Sequence, residues 1–186
     1  LWLAADIGGT KTLLALAGAD GGIVARRRYE NSRFPSFDAI LADFLAAHAA
    51  QPRAACLAVA GPVAENRARL TNLAWTLDGG ELAARFGFPA RLINDFEAVG
   101  HGITVLPTND LLTLQAGQPV ARGIKAVLGA GTGLGTAFLT WNGADYTVHA
   151  SEGSHADFAP GDAMQISLLR YLWRRFGHAS LERVVS

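Results

Sequence analysis

Two glycine-rich segments are the part of this sequence best suited to bind phosphate. Gly8, Gly9 and Thr10 lie between two apolar runs, and the segment 129–135 alternates glycine with other residues around Thr132. Because glycine has no Cβ, its backbone N–H can approach an anion closely, and the threonine hydroxyls add donors. Neither segment matches a Walker loop or a dinucleotide-binding fingerprint. Each segment alone could be a plain hairpin turn, but two together favour a clamp on a triphosphate.

Two aspartates stand at the ends of predicted strands. Asp6 directly precedes the first glycine segment, and Asn94-Asp95 follows the apolar run 91–93. Asp6 could hold a hydrated Mg²⁺ that bridges phosphate oxygens. Asp95 could accept the proton of a substrate hydroxyl that attacks a phosphoryl group. The alternative, that Asp95 only caps the helix predicted after it, is favoured when the residue is taken without further context.

A polar segment near the end of the chain places an acid and an imidazole three positions apart. Glu152 and His155 lie there, followed by Asp157. A hydrolytic zinc site usually has three protein ligands, so sugar hydroxyls, which both donate and accept hydrogen bonds, are the better match. Cys56 has apolar neighbours in a predicted strand and is expected to lie in the core.

Length and composition predict a globular protein of one generous domain or two small ones. Of the 186 residues, half are apolar and 17% are charged, and 16 basic residues balance 16 acidic ones. A disordered chain is excluded, and zero net charge gives no bulk attraction to nucleic acid or to an anionic membrane. One cysteine excludes a disulfide framework, and no apolar run is long enough to span a bilayer. We expect a cytoplasmic protein without nucleic-acid or membrane partners.

Hydrophobic periodicity predicts hairpins alternating with helices, which indicates an α/β fold with a mixed sheet. The pattern of strand, glycine turn and strand occurs at the start of the chain and again near residue 130. Ser36 and Asp162 are expected to cap helices. A segment rich in turn residues after position 106 divides the chain into an amino-terminal domain, 1–106, and the start of a second domain, 107–186.

Four motifs in register resemble bacterial glucokinase. The order and spacing agree over essentially the whole chain, including 70–75 and 177–186. The resemblance implies the ribonuclease-H-like fold of hexokinase and actin, with a mixed sheet, flanking helices and two α/β domains that close over a cleft. The matching segments are Asp-Ile-Gly-Gly-Thr at 6–10, Ile-Asn-Asp-Phe-Glu-Ala-Val at 93–99, Gly-Ala-Gly-Thr-Gly-Leu-Gly at 129–135, and Glu-Gly-Ser-His-Ala-Asp-Phe-Ala-Pro at 152–160.

The resemblance also implies an activity and a role for each matched residue. It implies an ATP-dependent hexose kinase that transfers the γ-phosphoryl group of ATP to the 6-hydroxyl of glucose, and it suggests a homodimer. Asp95 is then the general base, which replaces the capping interpretation. The implied ligands are Asn94, Glu152, His155 and Glu182 for the sugar, Gly8, Gly9, Thr10, Gly131, Thr132 and Gly133 for the phosphates of ATP, and Asp6 for Mg²⁺ through water.

This sequence departs from the family pattern at one loop residue and in its extent. Ser154 stands where the family has a second glycine, and the chain runs from Leu1, without an initiator methionine, to Ser186. We therefore expect an amino-terminal portion whose second domain is incomplete and lacks the adenosine side of the ATP site. Two alternatives stay open: a sugar-binding sensor or regulator of the same fold, and an inactive kinase fragment.

Overall fold

The computed structural model describes residues 1–70 and 73–186, which form two compact units, Leu1–Ala98 and Val99–Ser186. Whether these units correspond to domains divided at 106/107 stays a prediction. Thr71 and Asn72, which belong to the matched stretch 70–75, lie outside the described residues.

The described residues form eleven strands and five α-helices. The strands are β1 (Trp2–Ile7), β2 (Lys11–Ala17), β3 (Ile23–Glu30), β4 (Ala55–Val59), β5 (Val63–Ala64), β6 (Arg67–Arg69), β7 (Thr76–Asp78), β8 (Ala90–Asn94), β9 (Lys125–Ala130), β10 (Leu134–Trp141) and β11 (Tyr146–Ser151). The helices are α1 (Phe37–His48), α2 (Gly79–Phe86), α3 (Asp95–Ile103), α4 (Ala163–Phe176) and α5 (Leu181–Val185).

The first unit is built on a mixed five-stranded sheet in the order β3-β2-β1-β4-β8. The antiparallel pairs are β1–β2 and β2–β3, and the parallel pairs are β1–β4 and β4–β8. A small antiparallel sheet, β5-β6-β7, which the sequence pattern does not reveal, connects β4 to α2. β3 is an edge strand of the five-stranded sheet, and its three consecutive arginines, Arg26–Arg28, are all exposed.

Side chains alternate between the two faces of the sheet, and most of the buried apolar side chains of its strands lie on the face that α1 covers. Ile7 in β1 and Leu57 in β4 are buried in the same apolar cluster as Phe44 of α1. The helix begins where sequence patterning predicts, because Ser36 Oγ accepts a hydrogen bond from Ala39 N at 3.3 Å. It ends at His48, where Ala49 adopts a left-handed conformation.

The prediction that Cys56 lies in the core is wrong, because its side chain is exposed. Strand alternation turns Leu57 and Val59 toward the α1 face and Cys56 toward the opposite face, which also carries Asp6. Apolar neighbours in the sequence do not tell which face of a strand is covered. Partial desolvation still raises the pKa of the Cys56 thiol, so little of it is thiolate at neutral pH.

The second unit contains an antiparallel sheet in the order β11-β10-β9. Ala137 and Leu139 of the central strand are buried. Asp162 caps α4 as predicted, since its Oδ1 accepts a hydrogen bond from Gln165 N at 2.8 Å, and Gly177 ends the helix in a left-handed conformation. The α/β class with a mixed sheet and flanking helices is thus confirmed. Within the described residues, none of the helices has both the length and the apolar character of a membrane span.

Candidate functional site

In the first unit, three parallel strands end in register at one edge of the sheet. Ile7 of β1 pairs with Val59 of β4, and Val59 pairs with Asn94 of β8. Parallel strands lie about 4.8 Å apart, so Ile7 and Asn94 are separated by about 10 Å. The first glycine turn begins one residue after Ile7 and Asp95 one residue after Asn94, which brings two of the predicted site segments to the same edge.

The first glycine turn is a tight hairpin between β1 and β2. Gly8 N donates a hydrogen bond to Lys11 O at 3.0 Å, and a Cβ on Gly8 would lie 3.3 Å from that oxygen. Gly8 does not adopt a positive φ, so close approach of the backbone, rather than a left-handed conformation, is what favours glycine here. Thr10, at the other side of the turn, is exposed.

Asn31 stabilises this turn through its side chain, a role that the sequence did not predict. Its Nδ2 donates to Gly8 O at 2.8 Å, and its Oδ1 accepts from Thr12 Oγ1 at 2.8 Å. Its backbone N–H donates to Thr10 O at 2.9 Å, and the residue is 1% exposed. An asparagine just after an edge strand carries no sequence signal that separates this role from an ordinary turn.

Asn94, and not Asp95, is the capping residue of α3. Asn94 Oδ1 accepts hydrogen bonds from Phe96 N at 2.9 Å and Glu97 N at 3.2 Å, and its Nδ2 donates to Gly61 O at 3.0 Å. Asp95 is the first residue of the helix, and its Oδ1 accepts a hydrogen bond from Phe96 N at 2.9 Å. The interpretation that Asp95 caps this helix is therefore wrong, because Asn94 provides the cap and Asp95 is already the first helical residue.

Asp6 lies next to last in β1, with an exposed side chain on the sheet face opposite α1. A carboxylate beside a glycine turn fits the prediction of hydrated Mg²⁺, which takes one or two carboxylates together with phosphate oxygens and keeps several waters. In the ranges 1–70 and 73–186, no three histidine, cysteine, aspartate or glutamate side chains are grouped closely enough to hold a metal ion by themselves.

The second glycine segment is mostly strand rather than loop. Leu134 pairs with Ala130, and Gly135 pairs with Gly129, so four of the seven residues belong to the antiparallel ladder. Only the residues between the two strands, 131–133, form the turn, closed by a hydrogen bond of 2.8 Å from Gly131 N to Gly133 O. The structure thus shortens the seven-residue loop expected from the sequence.

Three predicted sugar ligands come together in the second unit. His155 Nε2 lies 3.5 Å from Glu152 Oε2, and His155 Nδ1 lies 3.8 Å from Glu182 Oε1. Two backbone hydrogen bonds join the loop after His155 to the chain around the start of α5: Leu181 N to Ala156 O at 3.0 Å and Phe158 N to Ala179 O at 2.8 Å. These bonds explain how residues about 30 positions apart converge.

Ser154 fits the loop without a glycine-specific conformation. It is 3% exposed and lies in a short 3₁₀ helix, Gly153–His155, with no positive φ. The family's glycine is therefore not required here by backbone geometry.

The fold places the chain among α/β proteins with the architecture of solved glucokinases. The glucokinase from an Antarctic psychrotroph is 33% identical with a TM-score of 0.82, and the alignment covers 100% of this chain and 60% of that one. The glucokinase of Balamuthia mandrillaris, solved with glucose, is 25% identical with a TM-score of 0.76 over 100% of this chain and 59% of that one. A family model described as glucokinase matches residues 3–186. The chain belongs to the glucokinase family.

A glucokinase from a Nostoc species is 47% identical over 195 aligned positions, which cover 100% of this chain and 57% of the relative. The chain therefore spans a little over half the length of the curated relatives that it matches, and corresponds to their amino-terminal portion. The Mg²⁺ ion, the homodimer and the cytoplasmic location stay predictions.

Proposed function

We propose that the full-length protein is an ATP-dependent glucokinase that transfers the γ-phosphoryl group of ATP to the 6-hydroxyl of glucose. The observation that carries the proposal is the register of Ile7, Val59 and Asn94, because it brings a phosphate-type glycine turn and Asp95 to one sheet edge. Ligand sites of α/β proteins lie at the carboxyl ends of parallel strands. The B. mandrillaris relative with bound glucose supports the choice of sugar.

Asp95 is the proposed general base. Its carboxylate accepts the proton of the sugar hydroxyl as the hydroxyl oxygen forms a bond to the γ-phosphorus, and the bond from that phosphorus to the β-phosphate oxygen breaks to release ADP. The hydrogen bond from Phe96 N to Asp95 Oδ1 fixes the orientation of the carboxylate. Asn94 caps α3, and because Asp95 is the first residue of that helix, the cap also keeps the proposed base in position.

The two glycine turns are the proposed phosphate sites, one in each unit. The hairpin already uses Gly8 N, so Gly9 and Thr10 are the donors proposed for an anion there, while Gly8 allows close approach. In the second turn Gly131 N is likewise used, which leaves the proposed donors at Thr132 and Gly133. Mg²⁺ bound near Asp6 would neutralise phosphate charge.

Glu152, His155 and Glu182 are the proposed ligands of the sugar hydroxyls. Carboxylates accept hydrogen bonds from hydroxyls, and imidazole can donate as well as accept, so the cluster can hold several hydroxyls in fixed directions. A sugar that lacks one of them leaves a polar group unpaired, which lowers its transition-state binding. Asn94 uses its Oδ1 and one N–H within the protein, so its other N–H is the donor proposed for the sugar.

The test compares Asp95→Asn with wild type in a chain of the family's full length. We expect kcat to fall by about 10²- to 10⁴-fold while glucose binding, measured by calorimetry, persists. Asp20→Asn is the matched control, since Asp20 lies in an exposed turn where an asparagine can still accept the hydrogen bond from Gly22 N. If Asp95→Asn keeps more than about a tenth of the wild-type rate, the assignment of the base is wrong. Glucose binding by wild type without phosphorylation would instead support the sensor.

A further inference from the structure

Glu182 contacts both the second glycine turn and the loop that carries the other proposed sugar ligands. Its Oε2 accepts a hydrogen bond of 3.0 Å from Leu134 N, directly after the turn. Its Oε1 lies 3.8 Å from His155 Nδ1. A Cβ on Gly133 would lie 2.7 Å from Glu182 Oε2, so the carboxylate packs closely against the turn.

A further hydrogen bond joins the same two segments. Thr136 Oγ1, in the strand that leaves the turn, donates to Ser151 O at 2.8 Å, directly before Glu152. The turn, the loop and the start of α5 therefore form one hydrogen-bonded assembly within the second unit. In this assembly Glu182 is the side chain that faces both partners.

A carboxylate is planar, so an interaction that orients one of its oxygens also orients the other. A sugar hydroxyl that donates to Glu182 restricts the rotation of this carboxylate. The restriction strengthens the bond from Leu134 N and holds the turn in its present conformation. An already ordered turn loses less conformational freedom when a phosphate binds.

We propose that Glu182 couples sugar binding to nucleotide binding by ordering the second glycine turn. The inference rests on the proposed function, since it takes glucose and ATP as the two ligands. Glu182 then acts as a positioning residue for the turn in addition to its contact with the sugar. Thermodynamic linkage requires the effect to be reciprocal, so each ligand raises the affinity of the other by the same factor. We expect a factor of about ten, within the usual range of such couplings.

The experiment measures the dissociation constant of a non-hydrolysable ATP analogue with and without saturating glucose, using the full-length chain. Gly133→Ala is the decisive variant, because it displaces the Glu182 carboxylate from the turn without removing its charge. Gly117→Ala is its matched control, since Gly117 is exposed outside the proposed site, has no positive φ, and a Cβ there meets nothing within 4 Å. Each variant's affinity with glucose is divided by its own affinity without glucose, so a uniform change in binding cancels.

We expect the ratio of about ten to persist in Gly117→Ala and to fall to about one in Gly133→Ala and Glu182→Ala. Circular dichroism identifies a variant that fails to fold. If only one of Gly133→Ala and Glu182→Ala folds, the ratio of the folded variant decides. If neither folds, the ratio of Glu182→Gln decides, and it too should fall to about one. Retention of the wild-type ratio in the folded variants overturns the coupling. A wild-type protein that phosphorylates glucose but has a ratio of one overturns the coupling alone. A wild-type protein that neither binds nor phosphorylates glucose overturns the proposed function as well.

Discussion

The side-chain amide of Asn31 donates a hydrogen bond of 2.8 Å to the backbone carbonyl of Gly8. The donor is almost completely buried, and its oxygen accepts a second hydrogen bond from Thr12. Buried groups of this kind are costly to leave without partners. The shape of the first glycine turn therefore depends on a residue about 20 positions further along the chain.

The first prediction concerns Asn31→Ala, which leaves the Gly8 carbonyl and the Thr12 hydroxyl without this partner. We expect the free energy of unfolding to fall by about 1–3 kcal/mol and the KM for ATP to rise. Chemical denaturation and steady-state kinetics measure the two effects. Asn109→Ala, at an exposed position, is the control and should change stability by less than about 0.5 kcal/mol. A loss of stability with an unchanged KM for ATP would assign Asn31 to the fold alone.

The second prediction concerns the cap of α3. Asn94→Ala removes the acceptor for Phe96 N and Glu97 N, so we expect a loss of about 1 kcal/mol in unfolding free energy together with a lower kcat. Ser36→Ala removes the corresponding cap of α1 and should cost about as much without changing kcat. Equal kcat values for the two variants would contradict the link between this cap and the proposed base.

The third prediction concerns the pH dependence of stability. Burial, followed by the hydrogen bond to Asp43 and the negative charge of that residue, raises the pKa of Tyr29 to about 12. An unfolded tyrosine ionises near pH 10, so its contribution is fully present below about pH 10 and is lost as the pH rises toward 12. We expect the free energy of unfolding to fall across this interval.

Denaturation at a series of alkaline pH values, combined with ultraviolet titration of the tyrosines, measures this effect. Tyr29→Phe should remove the late-titrating group and flatten the fall in stability. Tyr171→Phe changes an exposed tyrosine and should leave the fall in stability above about pH 10 unchanged. A late titration that survives in Tyr29→Phe would show that another group causes it.

The fourth prediction concerns Ser154. Because the loop holds this residue without a positive φ, Ser154→Gly should leave the KM for glucose unchanged. It should lower the free energy of unfolding by about 0.4–1 kcal/mol, because glycine gives the unfolded chain more conformational freedom. Ser154→Ala keeps the Cβ and removes only the hydroxyl, so it measures the contribution of the hydroxyl by itself. A much lower KM for glucose in Ser154→Gly would mean that the serine obstructs the sugar loop.

Local chemistry explains which elements could be predicted from the sequence. Ser36 and Asp162 mark their helices because capping is an interaction between neighbours in the chain. The hairpin around Gly8 follows from two apolar runs on either side of a glycine pair. Asp95 could be singled out as a candidate because it follows an apolar strand.

The remaining features depend on contacts between distant parts of the chain. Asn31 reaches Gly8 only after three strands have assembled, and Glu182 reaches Leu134 across 48 positions. The exposure of Cys56 depends on which face of the sheet α1 covers, and the strand's own residues do not encode this choice. Motif spacing thus predicts the candidate residues, whereas the hydrogen bonds that support them join residues too far apart in the chain to be predicted from it.

The edge of the main sheet in the first unit is formed by a strongly basic strand. Among the strands that the structure describes, none pairs with the outer side of β3, and Arg26–Arg28 occupy the middle of this strand. A strand docking there would have to strip water from guanidinium groups and would meet strong like-charge repulsion from a second copy. The exposed run of basic residues in β3 therefore disfavours the addition of a further strand at this edge.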